Sequence, residues 1–283
     1  MSEWRDARAA LDVELSAWAA VGRTATFWWR DDDATTAHAG LTQLLELSVK
    51  YSAPLALAVV PRLADASLVR AIDQADNVTP IVHGYAHVNH APSGEKQAEF
   101  GAHRDHAIMC SELAEGLSIL HDMFGAKFFP VLAPPWNRLD HDLVAQLPVP
   151  GYHGLSMFRP SPDRRPAPGL VQTNCHIDSI DWHALRGQRA EYAVLEELTT
   201  LLRIRRQYPD ISPDVLALGK PLPGGFDPHE PIGILTHHLA QEDDAWEFLT
   251  QLFRAIAPHC QPGGGARWLS CAEAFTLDAE AAV

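Results

Sequence analysis

The sequence predicts an α/β fold in which parallel strands curl into a barrel. Apolar stretches of strand length alternate with amphipathic stretches of helical period along the whole chain. One strand stretch, Pro54 to Val60, is apolar without interruption, the pattern of a strand buried on both faces of a parallel sheet. Several strands also end in polar or reactive residues, and in a parallel barrel those ends share one face, where active sites are assembled.

The elements follow one another in order. Trp4, Ala7, Leu11, Leu15 and Trp18 mark one side of a helix over 4–20. Thr24 to Trp29, rich in β-branched and aromatic residues, reads as a strand that runs into Asp31, Asp32 and Asp33. A helix over 38–51 precedes the Pro54–Val60 strand, which Pro61 closes. Residues 64–75 read as a helix, 78–83 as a strand ending at His83, and 96–123 as a long amphipathic helix. A strand at 127–132 stops before Pro134 and Pro135, and a helix at 138–147 follows. Strand-like pieces at 152–158 and 170–177 lead to a helix over 189–208, a strand over 232–237 and a helix over 242–257. Trp268-Leu269 and a helix after Ser270 complete the pattern. The count is about eight strands, near the number that closes a barrel. The Pro- and Gly-rich stretches 159–169 and 219–231 fall between elements and read as long loops, so residues 1–283 are expected to form one domain.

Composition narrows the function classes. The 283 residues are 47% apolar and 20% charged, with a formal charge of −14 from 36 acidic and 22 basic residues. That is globular composition with ample material for a core. So acidic a chain is a poor match for a phosphate backbone or an anionic lipid surface, and neither nucleic acid nor membrane is expected as a partner. The densest basic stretch, Arg203 to Arg206, spreads over more than one face of a helix. Residues Met1 to Asp6 lack the basic and apolar regions of a signal peptide, and no stretch approaches the roughly 18 apolar residues of a spanning helix. Cys110, Cys175, Cys260 and Cys271 are widely spaced without a C-x-x-C pair, as expected of reduced thiols in a cytoplasmic protein.

The residues with chemistry lie at the strand ends. His83 and His87 are two imidazoles four positions apart, good ligands for a borderline metal, although among 15 histidines such a pair also arises by chance. Asp31, Asp32 and Asp33 repel one another at a buried strand end unless a cation or Arg30 offsets them, and Asp33 is equally suited to cap the following helix. His237 and His238 close the last long apolar strand, and alternation lets only one of them face the barrel mouth. Asp178 and Asp181, followed by Trp182, suit either helix capping or a carboxylate that orients a histidine beside an apolar wall. Pro135, Trp136 and Asn137 offer a second wall and a rigid backbone N–H.

Together these motifs resemble the polysaccharide deacetylase family, the NodB-homology metal-dependent deacetylases, in order from about residue 24 to 257. Trp29 to Asp33 resembles the family's T-F-D-D-G motif, and His83 to His87 its H-[ST]-x-x-H motif. Ala133 to Trp136 resembles R-x-P-[YW], Asp178 to Trp182 resembles D-x-x-D-W, and Leu235 to His237 resembles L-x-H. The resemblance implies a distorted α/β barrel of about seven strands. It implies that Asp32, His83 and His87 bind one divalent metal, zinc by ligand type, with cobalt, nickel or manganese as alternatives. It implies Asp31 as general base and His237 as general acid, with Pro135, Trp136, Asn137, Asp178, Asp181 and Trp182 around the substrate. Three departures mark a divergent branch: Ala133 in place of the motif Arg, for which Arg30 and Arg138 are candidate replacements, Gly84 in place of a hydroxyl residue, and Asp33 in place of Gly; the lack of an export signal at Met1 to Asp6 makes an intracellular member the expectation.

The expected activity is removal of an acyl group from an amide nitrogen of a saccharide or other small molecule. Hydrolysis of a cyclic amide or ureide on the same fold is the second enzymatic reading. A non-catalytic carbohydrate-binding barrel is a third, although it needs neither base nor acid. A carboxylate-pair glycosidase leaves the histidine pair without a role. The oligomeric state is not encoded in any of these features.

Overall fold

A computed structural model of the chain describes residues 2–182, 187–210 and 227–276. Its centre is one curled sheet of β1 (Ala25–Ala34), β2 (Leu55–Val59), β3 (Val78–Val82), β4 (Val131–Leu132), β5 (Gly154–Leu155), β6 (Val171–Gln172) and β7 (Ile177–Asp178), with β10 (Ile232–Thr236) and β11 (Ala266–Trp268). The order across the sheet is β6-β5-β4-β3-β2-β1-β10-β7, with β11 also on β1, and every pairing is parallel. Two further short strands, β8 (Ile180–Asp181) and β9 (Gly187–Gln188), pair antiparallel beside it. Helices surround the curl, which stays open as a half-barrel and gives the distorted (β/α) barrel expected from the alternation.

Strict alternation along β1 sorts the core into two layers. Phe27 and Trp29 face outward into the helix layer with Leu55, Leu57 and Val59. Trp28 faces inward with Ala56, Ala58, Ile81, Ala133 and Leu235. Small residues dominate the inside because a tightly curled sheet leaves little room there. On the outside Trp29 meets Phe253 of the helix Asp243–Ile256 edge-on at 4.8 Å, a contact whose truncation to Ala would cost about 3–5 kcal/mol.

Two helices differ from expectation. The helix expected over 96–123 begins at His106, where Asp105 caps the first turn through Ile108 N. In the stretch before it the buried residues Ala98 and Phe100 lie only two positions apart, and the chain there is spent on a turn that reaches the site. The helix expected over 138–147 shortens to His141–Val144, preceded by a 3-10 turn at Pro135–Asn137. Among the described residues no helix is long and apolar enough to cross a membrane.

Candidate metal centre and its acid–base pair

β1 carries the site at its C-terminal end. Its pairing with β2 shifts register between Asp31 and Ala34, and Asp33 takes a left-handed backbone with φ of 71°. This bulge breaks the alternation, so that Asp32 and Asp33 both face the site while Asp31 stays with the outward layer.

The carboxylate that meets the two imidazoles is therefore Asp33, where Asp32 was expected. Asp33 Oδ1 lies 3.1 Å from His83 Nε2 and 3.2 Å from His87 Nε2. His83 extends β3, its N–H donating to Val59 O, and its Nδ1 lies 2.8 Å from Ala133 O. Donation to that carbonyl puts the proton on Nδ1 and turns the Nε2 lone pair toward Asp33. Three electron-pair donors thus converge on one point, an arrangement that needs a positive charge between them. Burial raises the Asp33 carboxyl, but with the His83 and His87 rings protonated their Nε2–H groups outweigh it and hold the group far below the usual carboxylate range; with the rings neutral, a cation has to take the place of those protons. A small cation fits the same donors, two imidazole nitrogens and one carboxylate oxygen, all within 4.8 Å of one another. Among the described residues this is the one cluster of metal-ligating type.

Sequence reasoning missed what shapes the loop between the histidines. Glu99 is buried, and its carboxylate accepts from the backbone N–H groups of Tyr85, Ala86 and Val88. Gly84, with φ of 67°, sits so close beneath it that a Cβ there would lie 2.1 Å from Glu99 Oε2 and 2.6 Å from the Pro135 ring. A hydroxyl residue has no room at that position. The only sequence signal for Glu99 was a charged residue on the apolar side of the supposed helix.

Asp32 has a different partner. Its Oδ2 accepts from Arg30 Nη2 at 2.9 Å and its Oδ1 lies 2.8 Å from Arg30 Nε without the angle of a hydrogen bond, a close ion pair in which both side chains are buried. Arg30 is held in turn by Ser156, through Oγ and the carbonyl, and by Asn137 Oδ1. Burial works against the Arg30 charge, and Asp32 more than restores it. Of the two candidate replacements for the motif arginine, Arg30 is therefore the one that meets an acidic motif residue, while Arg138 donates to Gln97 O.

Asp31, expected as the base, is committed elsewhere. It accepts from Thr236 Oγ1 at 2.6 Å, from His238 N at 3.0 Å and from His238 Nδ1. This buried cluster ties β1 to β10 on the outward side, and it leaves His237 on the site side. His237 Nε2 lies 3.9 Å from Asp32 Oδ2. The Trp182 ring packs against His237 at 4.7 Å, and Trp182 Nε1 donates to Asp178 Oδ2. Asp178 Oδ1 accepts from Ile180 N, so this carboxylate steadies the indole that steadies the histidine. The side chain of Asp181 lies outside the described residues.

On the other flank, Trp136 packs against His87 at 4.5 Å. The N–H groups of Asn137 and Arg138 bond to Pro134 O and Pro135 O, so that of Trp136 is the one left without a partner among the described residues. Asp33, His87, Trp136 and Asn137 account for four of the six described non-glycine residues with positive φ. Such strain, about 1–3 kcal/mol per residue, gathers where surrounding structure forces a functional geometry.

No family model matches the chain, and no curated protein matches its sequence. Solved structures match in fold. A proposed polysaccharide deacetylase from Mycobacterium smegmatis superposes with a TM-score of 0.59 at 13% identity, over 90% of this chain and 90% of that one. The Bc1960 peptidoglycan N-acetylglucosamine deacetylase, in complex with an N-hydroxybenzamide, gives 0.50 at 13% identity over 88% and 86%. A mutant of BA3943, a CE4 family pseudoenzyme with restored enzymatic activity, gives 0.50 at 16% identity over 89% and 68%. The chain has the distorted-barrel fold of the NodB-like polysaccharide deacetylases. A pseudoenzyme shares that fold, so the chemistry rests on the side chains themselves.

Proposed function

We propose that the chain is a divergent member of the polysaccharide deacetylase family, a metal-dependent hydrolase that removes an acyl group from an amide nitrogen of a saccharide or similar small molecule. The reading rests above all on the trio Asp33, His83 and His87 with the Arg30-held Asp32 beside it and His237 facing it. A divalent cation bound by that trio, zinc or else cobalt, nickel or manganese, supplies Lewis acidity toward the acyl carbonyl and lowers the pKa of water. Asp32 accepts the proton that water gives up as its oxygen bonds to the acyl carbon. Trp136 N–H is the backbone donor available to the oxygen on which charge develops. As the C–N bond breaks, protonated His237 gives its proton to the departing nitrogen, and carboxylate and amine result. Asp32 Oδ2 and His237 Nε2 are 3.9 Å apart, close enough to pass the proton gained by one to the other before the next turnover. The indoles of Trp136 and Trp182 flank the two sides of this space and exclude water.

The test combines metal analysis with acetate release from N-acetylglucosamine and its β-1,4 oligomers. The parent should carry about one metal per chain, Asp33→Ala and His83→Ala should lose it, and Asp32→Asn should keep it. Asp32→Asn should lose turnover by about 100-fold or more. Metal lost from Asp32→Asn but kept by Asp33→Ala would reverse the two assignments. Correct metal behaviour with no acetate from any sugar, but turnover of a cyclic amide, would leave the centre standing and replace the substrate class.

A further inference from the structure

The opposite end of the barrel holds a cavity that the metal centre does not use. Its volume is about 740 Å³, and Thr24 to Thr26 before and within β1 and Ile232 at the start of β10 line it. The parallel strands β1 and β10 carry the metal centre and His237 at their other ends. Eight residues separate Ala25 from Asp33, which at about 3.3 Å each sets the two places about 25 Å apart.

In a chain of net charge −14, the described residues that line this cavity include four arginines, Arg23, Arg164, Arg205 and Arg267, against Glu230 and Glu273. The two carboxylates are already engaged. Glu273 bonds Arg267 and Ser270, and Glu230 bonds His176 and the N–H groups of Ser161 and Asn174, with Arg205 3.7 Å away. Arg23 and Arg164 are instead fixed by neutral oxygens. Arg23 donates to Arg206 O at 2.9 Å and lies over the Trp18 ring at 4.8 Å. Arg164 donates to Thr173 Oγ1 at 2.8 Å and to Ala274 O at 2.7 Å. Carbonyl and hydroxyl oxygens hold a guanidinium without neutralising it, so two positive charges with no carboxylate bonded to them border one cavity. Partial burial lowers the Arg164 pKa, and Glu230 and Asp227 only offset part of that cost.

We infer that this cavity is a second binding site, for a small molecule that bears an oxyanion, phosphate or carboxylate, read by Arg23 and Arg164. Planar guanidinium forks match such anions with two parallel hydrogen bonds. The cavity far exceeds the space of a bare ion, and Trp18, Leu202 and Leu269 give its walls apolar surface for an organic body. Arg23 also ties down the end of the helix Glu191–Gln207, so ligand binding rather than stability is the readout.

Calorimetric titration of the full-length protein with glucose 6-phosphate, inorganic phosphate, gluconate and glucose, with and without divalent metal, tests the site. One equivalent of glucose 6-phosphate or gluconate should bind in either metal state, and glucose should not. Arg23→Gln and Arg164→Gln should each weaken binding about tenfold or more, as loss of a charged hydrogen bond implies. The exposed, remote Arg70→Gln should bind as the parent does, and far-ultraviolet circular dichroism should show both variants folded. The preference between the phosphate and carboxylate ligands identifies which oxyanion the site takes. Binding that requires metal and ignores both substitutions would place the anion at the metal centre and overturn the inference. So would absence of binding by both organic anions, or binding of inorganic phosphate alone.

Discussion

Replacing Arg30 by Met should cost the protein a large share of its stability, and replacing Asp32 as well should restore part of it. The pair is fully buried, with Nε and Oδ1 2.8 Å apart. At an effective dielectric of about 20, unit charges at that distance attract by about 6 kcal/mol. Removing each ion from water costs several kcal/mol, so the intact pair contributes little net stability. Deleting Arg30 alone cancels the attraction and leaves a buried carboxylate uncompensated, at a cost of about 3–5 kcal/mol. It also strands Ser156 Oγ and Asn137 Oδ1 without their donor. Against a total stability of about 5–15 kcal/mol, that loss is large. Asp32→Asn removes the charge that Arg30 faces, so Arg30→Met and Asp32→Asn combined should cost about 2–3 kcal/mol less than the sum of the single changes. Urea unfolding followed by tryptophan fluorescence, in chelator so that bound metal does not mask the difference, measures the cycle. Additivity within about 0.5 kcal/mol would refute the claim that Arg30 serves Asp32.

Three other outcomes follow from the same geometry. Gly84→Ser, which installs the hydroxyl residue of the family motif, should destabilise by about 2–4 kcal/mol, because its Cβ meets Glu99 and Pro135 at a positive φ; an unchanged melting temperature would show that the loop yields freely. Asp31→Asn should keep its metal and most of its turnover while losing about 1–3 kcal/mol, since Asp31 serves buried donors of β10 rather than the substrate; loss of turnover with stability intact would return Asp31 to the role of base. Burial pushes the Cys175 thiol up to about 12 and raises Cys271 as well, so iodoacetamide at pH 8 should leave both unmodified in the folded state. Mass spectrometry that finds Cys175 alkylated before unfolding would contradict its burial.

The strand ends were legible because period and punctuation are local. Pro54–Val60 had to be a buried strand, and His83 had to end one. The assignment within Asp31-Asp32-Asp33 was not legible, because it depends on a bulge. Strict alternation puts Asp31 and Asp33 on one side and Asp32 on the other, and only the register shift against β2 brings Asp33 around. A motif match one residue out of step satisfies the same pattern of acids. The surroundings of Arg30 were not legible either, since Ser156, just after β5, lies 126 positions away and only the curl of the sheet brings it to β1. Glu99 was hidden for another reason: its partners are the backbone N–H groups of Tyr85, Ala86 and Val88, which no side-chain pattern reveals.

The bulge in β1 has a mechanical consequence. In the proposed mechanism the base and the carboxylate ligand are successive residues, so one peptide unit, with Cα atoms about 3.8 Å apart, holds their backbones at a fixed spacing. His83, His87 and His237 each ride on a different strand or loop, so the curl of the half-barrel sets their distance from β1. Substitutions that alter that curl should therefore be felt first in metal affinity and in the acid step, and least in the spacing of Asp32 and Asp33.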